Sequence, residues 1–480
     1  MAAASSPSIA ALQSAAERGP GLAFGVTALL VFGIASGIGL ALGELEALTV
    51  SLTLIGCLAT LLDFRIGAVL IIVMLPAAGS YFFPRAILGY TGLNPLNMLL
   101  AATFVSFVLR GKLGDFLPRP LALLYIAPIV AAGLIGARYV DDIYPYFYET
   151  EIIHFFTEGG YLRDMLGKPL LMVLAALLVG AAVVRSQRPE RFLAPFVISV
   201  WVMSLIVIGF VVASGVRLGL LASTGARDYL SAIGMHANDL GRLFAVAYAL
   251  LLFTWGETKD TALKTMLVLT MGVLTVALLL TFSRGAFVGF LLINAMFLLW
   301  KLNARTIALA VLVVALGALV LPEFVISRVT LGFDSGDANA ISAGRIDEIW
   351  LPLVPELAKS PLWGSGLGSV MWSDPLWAGA MLAVTHPHSA YLEVLLDMGI
   401  IGFALLAAYF WHVFRNLRDL GSNAYLSPTM RGFFQGALAG LLCFLVTGFA
   451  GSSLRPTPEF AFLWLAIGMM YGQLARRPAG

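Results

Sequence analysis

Thr385-His386-Pro387-His388-Ser389-Ala390-Tyr391-Leu392-Glu393 sets two imidazoles at the end of a long polar segment, directly before an apolar run. Histidine changes charge near neutrality and is the commonest general base. Ser389 is an N-cap residue type for a helix beginning at Ala390. The positive end of such a helix disfavours imidazolium, so His388 is expected to stay neutral at pH 7. A neutral imidazole beside a substrate hydroxyl can take its proton. The plain alternative is a capping residue or a zinc-binding His386-x-His388 pair. Further ligands at conventional zinc spacing are missing from the sequence, so no metal and no cofactor are expected.

Arginine supplies the second kind of chemistry. Ser283-Arg284-Gly285 stands between two apolar runs with almost no loop, which puts a guanidinium near membrane depth. A charge there is costly and marks a functional site by default. Guanidinium stays charged and fits phosphate oxygens two at a time. Arg217, Arg227, Arg242 and Arg345 fall in segments on the same side as Arg284. Together they suit a pyrophosphate carried on a lipid. Arg284 alone has a simpler reading, snorkelling to headgroups or pairing with Asp347. His236 and Asn238, in Met235-His236-Ala237-Asn238-Asp239-Leu240, are candidate substrate contacts, as is His386. Gly364, Gly366 and Gly368 could form an anion-binding loop centred on Gly366, or only turn the chain. Gly399 and Gly402 would let another helix come close behind His388.

These groups need a frame, and composition says what it is. The 480 residues are 60% hydrophobic and only 12% charged, with mean hydropathy +0.93; soluble proteins carry about 25% charged residues. Repeated apolar runs are long enough to cross a bilayer as helix. The expected fold is all-α, a polytopic integral membrane protein of about 12–14 transmembrane helices with one long periplasmic loop. The net charge of +2 gives no reason to expect nucleic acid. Cys57 and Cys443 lie inside apolar runs and read as packing residues.

Fourteen candidate spans fall at 22–42, 46–62, 66–80, 95–110, 121–138, 169–185, 192–214, 243–256, 265–282, 286–300, 306–322, 391–414, 432–450 and 458–475. Residues 1–20 read as a cytoplasmic tail. Residues 21–322 hold the first spans, with periplasmic loops near 139–168 and 216–242. Residues 323–390 are the large periplasmic loop carrying active-site groups. Residues 391–480 hold the last spans and a second cytoplasmic tail. Arg110, Lys112 and Arg119, then Arg185, Arg188 and Arg191, and the later Lys/Arg clusters all fall on one side when the spans alternate, and that side is the cytoplasm. Residues 139–168 are acidic and aromatic. Gly344 to Trp350 reads as a short amphipathic helix at the membrane surface.

Four segments resemble the O-antigen ligase family of bacterial envelope glycosyltransferases. Ser283-Arg284-Gly285-Ala286 resembles its SRG step between two spans. Gly344-Arg345 followed by Trp350 resembles its second arginine. Pro361-Leu362-Trp363-Gly364-Ser365-Gly366-Leu367-Gly368 resembles its glycine-rich segment. His388-Ser389, nine residues, then Gly399-Ile400-Ile401-Gly402 resembles its histidine motif. Together they cover about 120 residues, Ser283 to Gly402. Asn238-Asp239-Leu240 resembles a looser asparagine motif before a span.

The resemblance implies a metal-independent, inverting transfer at the periplasmic face of the bacterial inner membrane. The donor would be a glycan on undecaprenyl pyrophosphate and the acceptor lipid A–core. His388 would be the base, and Arg284 and Arg345 would stabilise the leaving pyrophosphate. A polymerase adding the chain to another lipid-linked repeat, or a protein O-oligosaccharyltransferase, would share the donor chemistry. A transporter of the same lipid would bind pyrophosphate but need no base. Transporters place their charges at mid-membrane, whereas these gather at one face beside a long loop. Membrane lipids are the other expected partners.

Overall fold

The computed structural model describes residues 45–87, 89–110, 116–216, 227–301, 307–308, 336–451 and 453–476. The expected span 22–42, all of 306–322 except residues 307–308, and Arg217 lie outside the described residues. The other twelve expected spans each coincide with a helix. The fold is all-α, and among the described residues the only strands are a two-residue pair, Ala86–Ile87 with Tyr90–Thr91. Seven helices among the described residues are long and apolar enough to cross a membrane.

The chain forms two compact units, 1–71 with 84–112 and 72–83 with 113–480. In the first, α1 (Leu45–Leu62) packs on α3 (Pro95–Arg110), with the start of α2 (Phe64–Met74) beside them. The rings of Phe64 and Phe107 meet edge to face at 5.5 Å. The Arg110 guanidinium closes the open end of α1 by donating to the Leu61 carbonyl at 2.7 Å and to that of Leu62.

The second unit holds all the described candidate residues. Its long helices are α4 (Arg119–Asp142), α5 (Glu158–Arg185), α6 (Pro189–Ser214), α7 (Ala237–Glu257), α8 (Thr261–Leu280), α9 (Arg284–Trp300), α10 (Ala390–Ser422) and α11 (Pro428–Ala450), followed by α12 (Ala461–Ala475). Helix α7 is the axis, with 83% of its apolar window buried. It lies against α11 because α11 presents Gly432, Gly436 and Gly440 to it. A Cβ on Gly436 would stand 2.7 Å from Leu250 Cα, and one on Gly440 would stand 3.2 Å from Val246 Cγ1. Backbones this close replace the hydrophobic drive that lipid removes. A core of Tyr125, Tyr409 and Trp464 joins α4, α10 and α12, with centroids 4.7 and 4.9 Å from Tyr125. The Tyr125 hydroxyl donates to the Leu454 carbonyl at 2.7 Å and fixes the loop between α11 and α12. Cys57 and Cys443 are free thiols.

The helices outrun the apolar stretches that announce them. Helix α4 reaches Asp142 and α5 begins at Glu158, so the expected 139–168 loop shrinks to 143–157. Helix α7 starts at Ala237, so Asn238, Asp239 and Arg242 sit on its first turns and not in a loop. Caps explain the difference. Thr157 accepts from Gly160 N–H, and His236 Nδ1 accepts from Asn238 N–H at 3.1 Å. A capped terminus carries helix into polar sequence, where hydropathy alone would end it.

Helix α10 is broken at Gly399, where φ is +63° and ψ −170°. The break leaves main-chain groups without helical partners. The segment 361–366 supplies them. Ser365 N–H donates to Leu396 O (2.8 Å) and Gly366 N–H to Asp397 O (3.0 Å). Ile400 N–H and Ile401 N–H donate to Pro361 O (2.9 Å) and Leu362 O (3.2 Å). Gly399 therefore admits the turn-rich loop 361–366, where the sequence suggested a second helix. A Cβ there would lie 2.6 Å from Trp363 N.

Candidate active site

His388 sits on the last residue before the N-cap of α10. Ser389 is that cap, its hydroxyl accepting from Leu392 N–H at 3.5 Å. His388 has φ +52°, a left-handed conformation that non-glycine residues rarely adopt and that recurs at functional sites. Its N–H donates to Nδ1 of His386 at 3.3 Å, and the two rings meet edge to face with centroids 4.2 Å apart. Burial is the main reason both imidazoles stay neutral. It drives His386 down to about 4, helped by the charges of Arg242, Arg455 and Arg345. His388 falls to about 2 through burial, its neighbour His386, and then Arg345 and Arg242. The helix end acts in the same direction.

Arg345 begins a short helical stretch, Ile346–Trp350 continuing through Leu351–Leu353. That stretch is tied to the histidines by Trp350, whose indole N–H donates to the Pro387 carbonyl at 2.8 Å. The five-residue offset from Arg345 to Trp350 thus anchors the arginine's segment to the main chain that joins the two histidines. The Arg345 guanidinium reaches the Ala450 carbonyl at the end of α11 (3.3 Å).

Arg284 opens α9, capped by Ser283, and its guanidinium approaches the Ile341 carbonyl of the long loop at 3.5 Å. The Ser283 hydroxyl donates to Asn238 Oδ1 at 2.9 Å. That bond joins two motifs 45 residues apart and places the Arg284 turn beside the first turn of α7. Arg242 is 8% exposed, pairs with Asp239 at 3.4 Å and lies in the field of both site histidines. His236 is within that field as well. Arg227 begins a short helix, Arg227–Ser231.

The glycine-rich segment does cradle an anion, and it is the protein's own. Gly368 N–H and Ser369 N–H each donate to an oxygen of the Asp397 carboxylate at 3.0 Å, and the Ser369 hydroxyl donates to it at 2.8 Å. Gly366 spends its N–H on the Asp397 carbonyl. That bond gives Gly366 a structural role at the α10 break.

Sequence reasoning passed over Arg455 and the acids around it. Arg455 Nη2 pairs with Glu393 Oε1 at 2.9 Å, with 16% and 5% of the two side chains exposed. The guanidinium also lies in the field of Asp397, and its charge reaches His386. A signal was available. Arg455 stands in a loop on the same side as Arg345, so the rule that singled out the other outer arginines applies to it equally. His154 is exposed, and His412 lies within α10 beside Asn416, both apart from this cluster. A recess of about 940 Å³ lined by Gln187, Asp419, Tyr425 and Arg476 holds none of these groups. Among the described residues no group of three or more His, Cys, Asp or Glu is placed to hold a metal ion.

Residues 267–407 match the family model Wzy_C, O-antigen ligase. The matched segment contains Arg284, Arg345, the glycine-rich segment, both histidines and Gly399. Arg242 and Arg455 lie outside it. The family is one of glycosyltransferase-like ligases and polymerases, which implies a membrane setting and a lipid-linked glycan substrate. No curated protein matches the chain.

Proposed function

We propose that the chain is an O-antigen-ligase-like glycosyltransferase that moves a glycan from undecaprenyl pyrophosphate to lipid A–core at the periplasmic face of the bacterial inner membrane. The observation that carries this reading is a pair of half-buried imidazoles in ring contact, kept neutral by desolvation and by the charges of Arg242 and Arg345, with Arg455 acting on His386 as well. A base that must be unprotonated is paired with cations that attract a pyrophosphate. A lipid transporter would need the second feature and not the first.

In this reading His388 takes the proton from the acceptor hydroxyl. The freed oxygen attacks the anomeric carbon from the face opposite the pyrophosphate, the bond from carbon to phosphate oxygen breaks, and the configuration inverts. Undecaprenyl pyrophosphate leaves with one more negative charge, which Arg284 and Arg345 neutralise. Arginine does the work that a metal ion does in other glycosyl transfers. Arg217, Arg227, Arg242, His236, Asn238 and His386 are the proposed donor and acceptor contacts. His386 also orients His388 through the main-chain hydrogen bond.

The test uses purified protein, a lipid-linked glycan donor and a chelator, with lipid A–core added or withheld. Transfer to lipid A–core that vanishes in His388→Ala supports the ligase. Chain growth without the added acceptor moves the protein to the polymerase class. Transfer to a protein acceptor would favour O-oligosaccharyl transfer. Donor binding with no transfer in wild type and variant alike would make it a transporter.

A further inference from the structure

We infer that aromatic rings from the 139–149 turn and the 371–377 segment form a sugar-binding platform that holds part of the glycan away from the reacting end. The inference rests on the glycosyltransferase reading for its ligand class and on geometry for its place.

Two stretches more than 200 residues apart build the platform. Tyr139, at the end of α4, stacks on Trp372 with centroids 5.5 Å apart and planes 12° from parallel. Trp377 sets its edge on Tyr144 at 5.2 Å. The Trp377 indole N–H donates to the Asp142 carbonyl at 3.2 Å, and Tyr144 N–H donates to the Met371 carbonyl at 2.9 Å. The Trp377 ring is held by main chain and Tyr139 by its stack on Trp372, so little freedom remains to be lost on binding. They are also open, with Trp377 52%, Tyr146 41% and Tyr139 39% exposed. Large exposed apolar faces held rigid mark a binding surface.

The charges around the rings select the occupant. Asp141, Asp142 and Glu149 are exposed beside Arg138, and on the second segment exposed Asp374 pairs with Lys359 at 2.8 Å, so acids outnumber bases around the rings. A pyranose ring offers an apolar C–H face to an aromatic ring and hydroxyls that donate to carboxylates. A patch of this sign repels anionic headgroups, which separates it from an ordinary interfacial aromatic belt. It likewise disfavours glycans rich in acidic sugars. Neutral sugars and amino sugars fit.

The platform is also rigidly joined to the site. Met371 and Trp372 follow Gly368 and Ser369, which grip Asp397 on the helix that His388 precedes. A sugar stretch bound on the rings would therefore be indexed to the reacting end of the donor.

Saturation-transfer NMR on the full chain in phosphatidylcholine nanodiscs, with chitotetraose, maltotetraose and tetragalacturonate as probes, tests this. At least one neutral probe should receive saturation, and tetragalacturonate should not. Binding should weaken about tenfold or more in Trp377→Ala and Tyr139→Ala and persist in Trp377→Phe and Tyr139→Phe, which keep an aromatic face if the fold is intact. No transfer to either neutral probe, equal transfer to tetragalacturonate, or binding unchanged in the alanine variants would each overturn the platform. So would strong quenching of Trp377 fluorescence by brominated lipid, which would place the ring in the bilayer interface. His388→Ala should still bind the sugar. Sugar binding without any glycan transfer in wild type would sink the glycosyltransferase reading and leave the platform standing.

Discussion

The main-chain N–H of His388 donates to Nδ1 of His386 at 3.3 Å. This bond requires Nδ1 of His386 to be unprotonated, which leaves any proton of its neutral ring on Nε2. Protonating His386 would break the bond and set a cation against the His388 ring.

The first prediction concerns pH. In the free protein His388 lies down to about 2 and His386 down to about 4. The acidic limb of kcat/KM, which reports the free enzyme, should therefore fall well below pH 6. Bound pyrophosphate adds negative charge beside the rings and raises their affinity for protons. The acidic limb of kcat should then lie at higher pH than that of kcat/KM. A kcat/KM limb at the ordinary histidine value near 6.5 would contradict the buried, cation-flanked geometry.

The two histidines give stability a pH-dependent contribution of fixed sign. In the unfolded chain these histidines bind protons below about 6.5, whereas in the folded protein they do not until far lower. At these two sites the unfolded state thus holds more protons between these values, and their contribution to stability should fall as pH drops from about 6.5 toward about 4. Above that window neither histidine contributes a slope. His386→Gln/His388→Gln should flatten the dependence in thermal unfolding scans at pH 4.5–6.5.

The left-handed backbone at residue 388 separates catalysis from stability. Glycine adopts φ +52° freely, whereas alanine carries a penalty of about 1 kcal/mol there. Both His388→Gly and His388→Ala should abolish transfer, with His388→Gly the more thermostable of the two. The reverse order of unfolding temperatures would mean that the local strain is absent.

Arg455 and Glu393 should behave as a pair. Removing one partner leaves a buried charge uncompensated, at a cost of about 3–5 kcal/mol. Arg455→Met is expected to be severely destabilised in denaturant titrations. The double variant Arg455→Met/Glu393→Gln should recover most of that loss. Because the guanidinium also acts on His386, the double variant should still shift the acidic limb of kcat/KM upward.

Gly399→Ala should be costly for two separable reasons. The new Cβ meets the main chain of Leu362 and Trp363, and φ +63° disfavours any side chain. Loss of the pairing between 361–366 and α10 would free the segment that carries Gly368 and Ser369. Protease cleavage within 361–369 should then accelerate relative to wild type. Unchanged cleavage would mean that the break does not hold the loop.

Apolar run length, which is a local property, determined the helices. Twelve of the fourteen expected spans coincide with helices, because a segment that must bury its own hydrogen bonds in lipid has few alternatives. Local chemistry also announced the Ser389 cap that follows His388. Other features depended on contacts between distant parts of the chain, which no run of sequence contains. The Gly364–Gly368 segment was legible as an anion cradle, yet only packing shows Asp397 as its occupant. Gly399 was legible as a place of close approach, yet only the tertiary structure decides that a loop fills it. Arg455 lies 62 positions from the acid that holds it. Tyr139 and Trp372 become one surface only once α4 and the long loop are folded together.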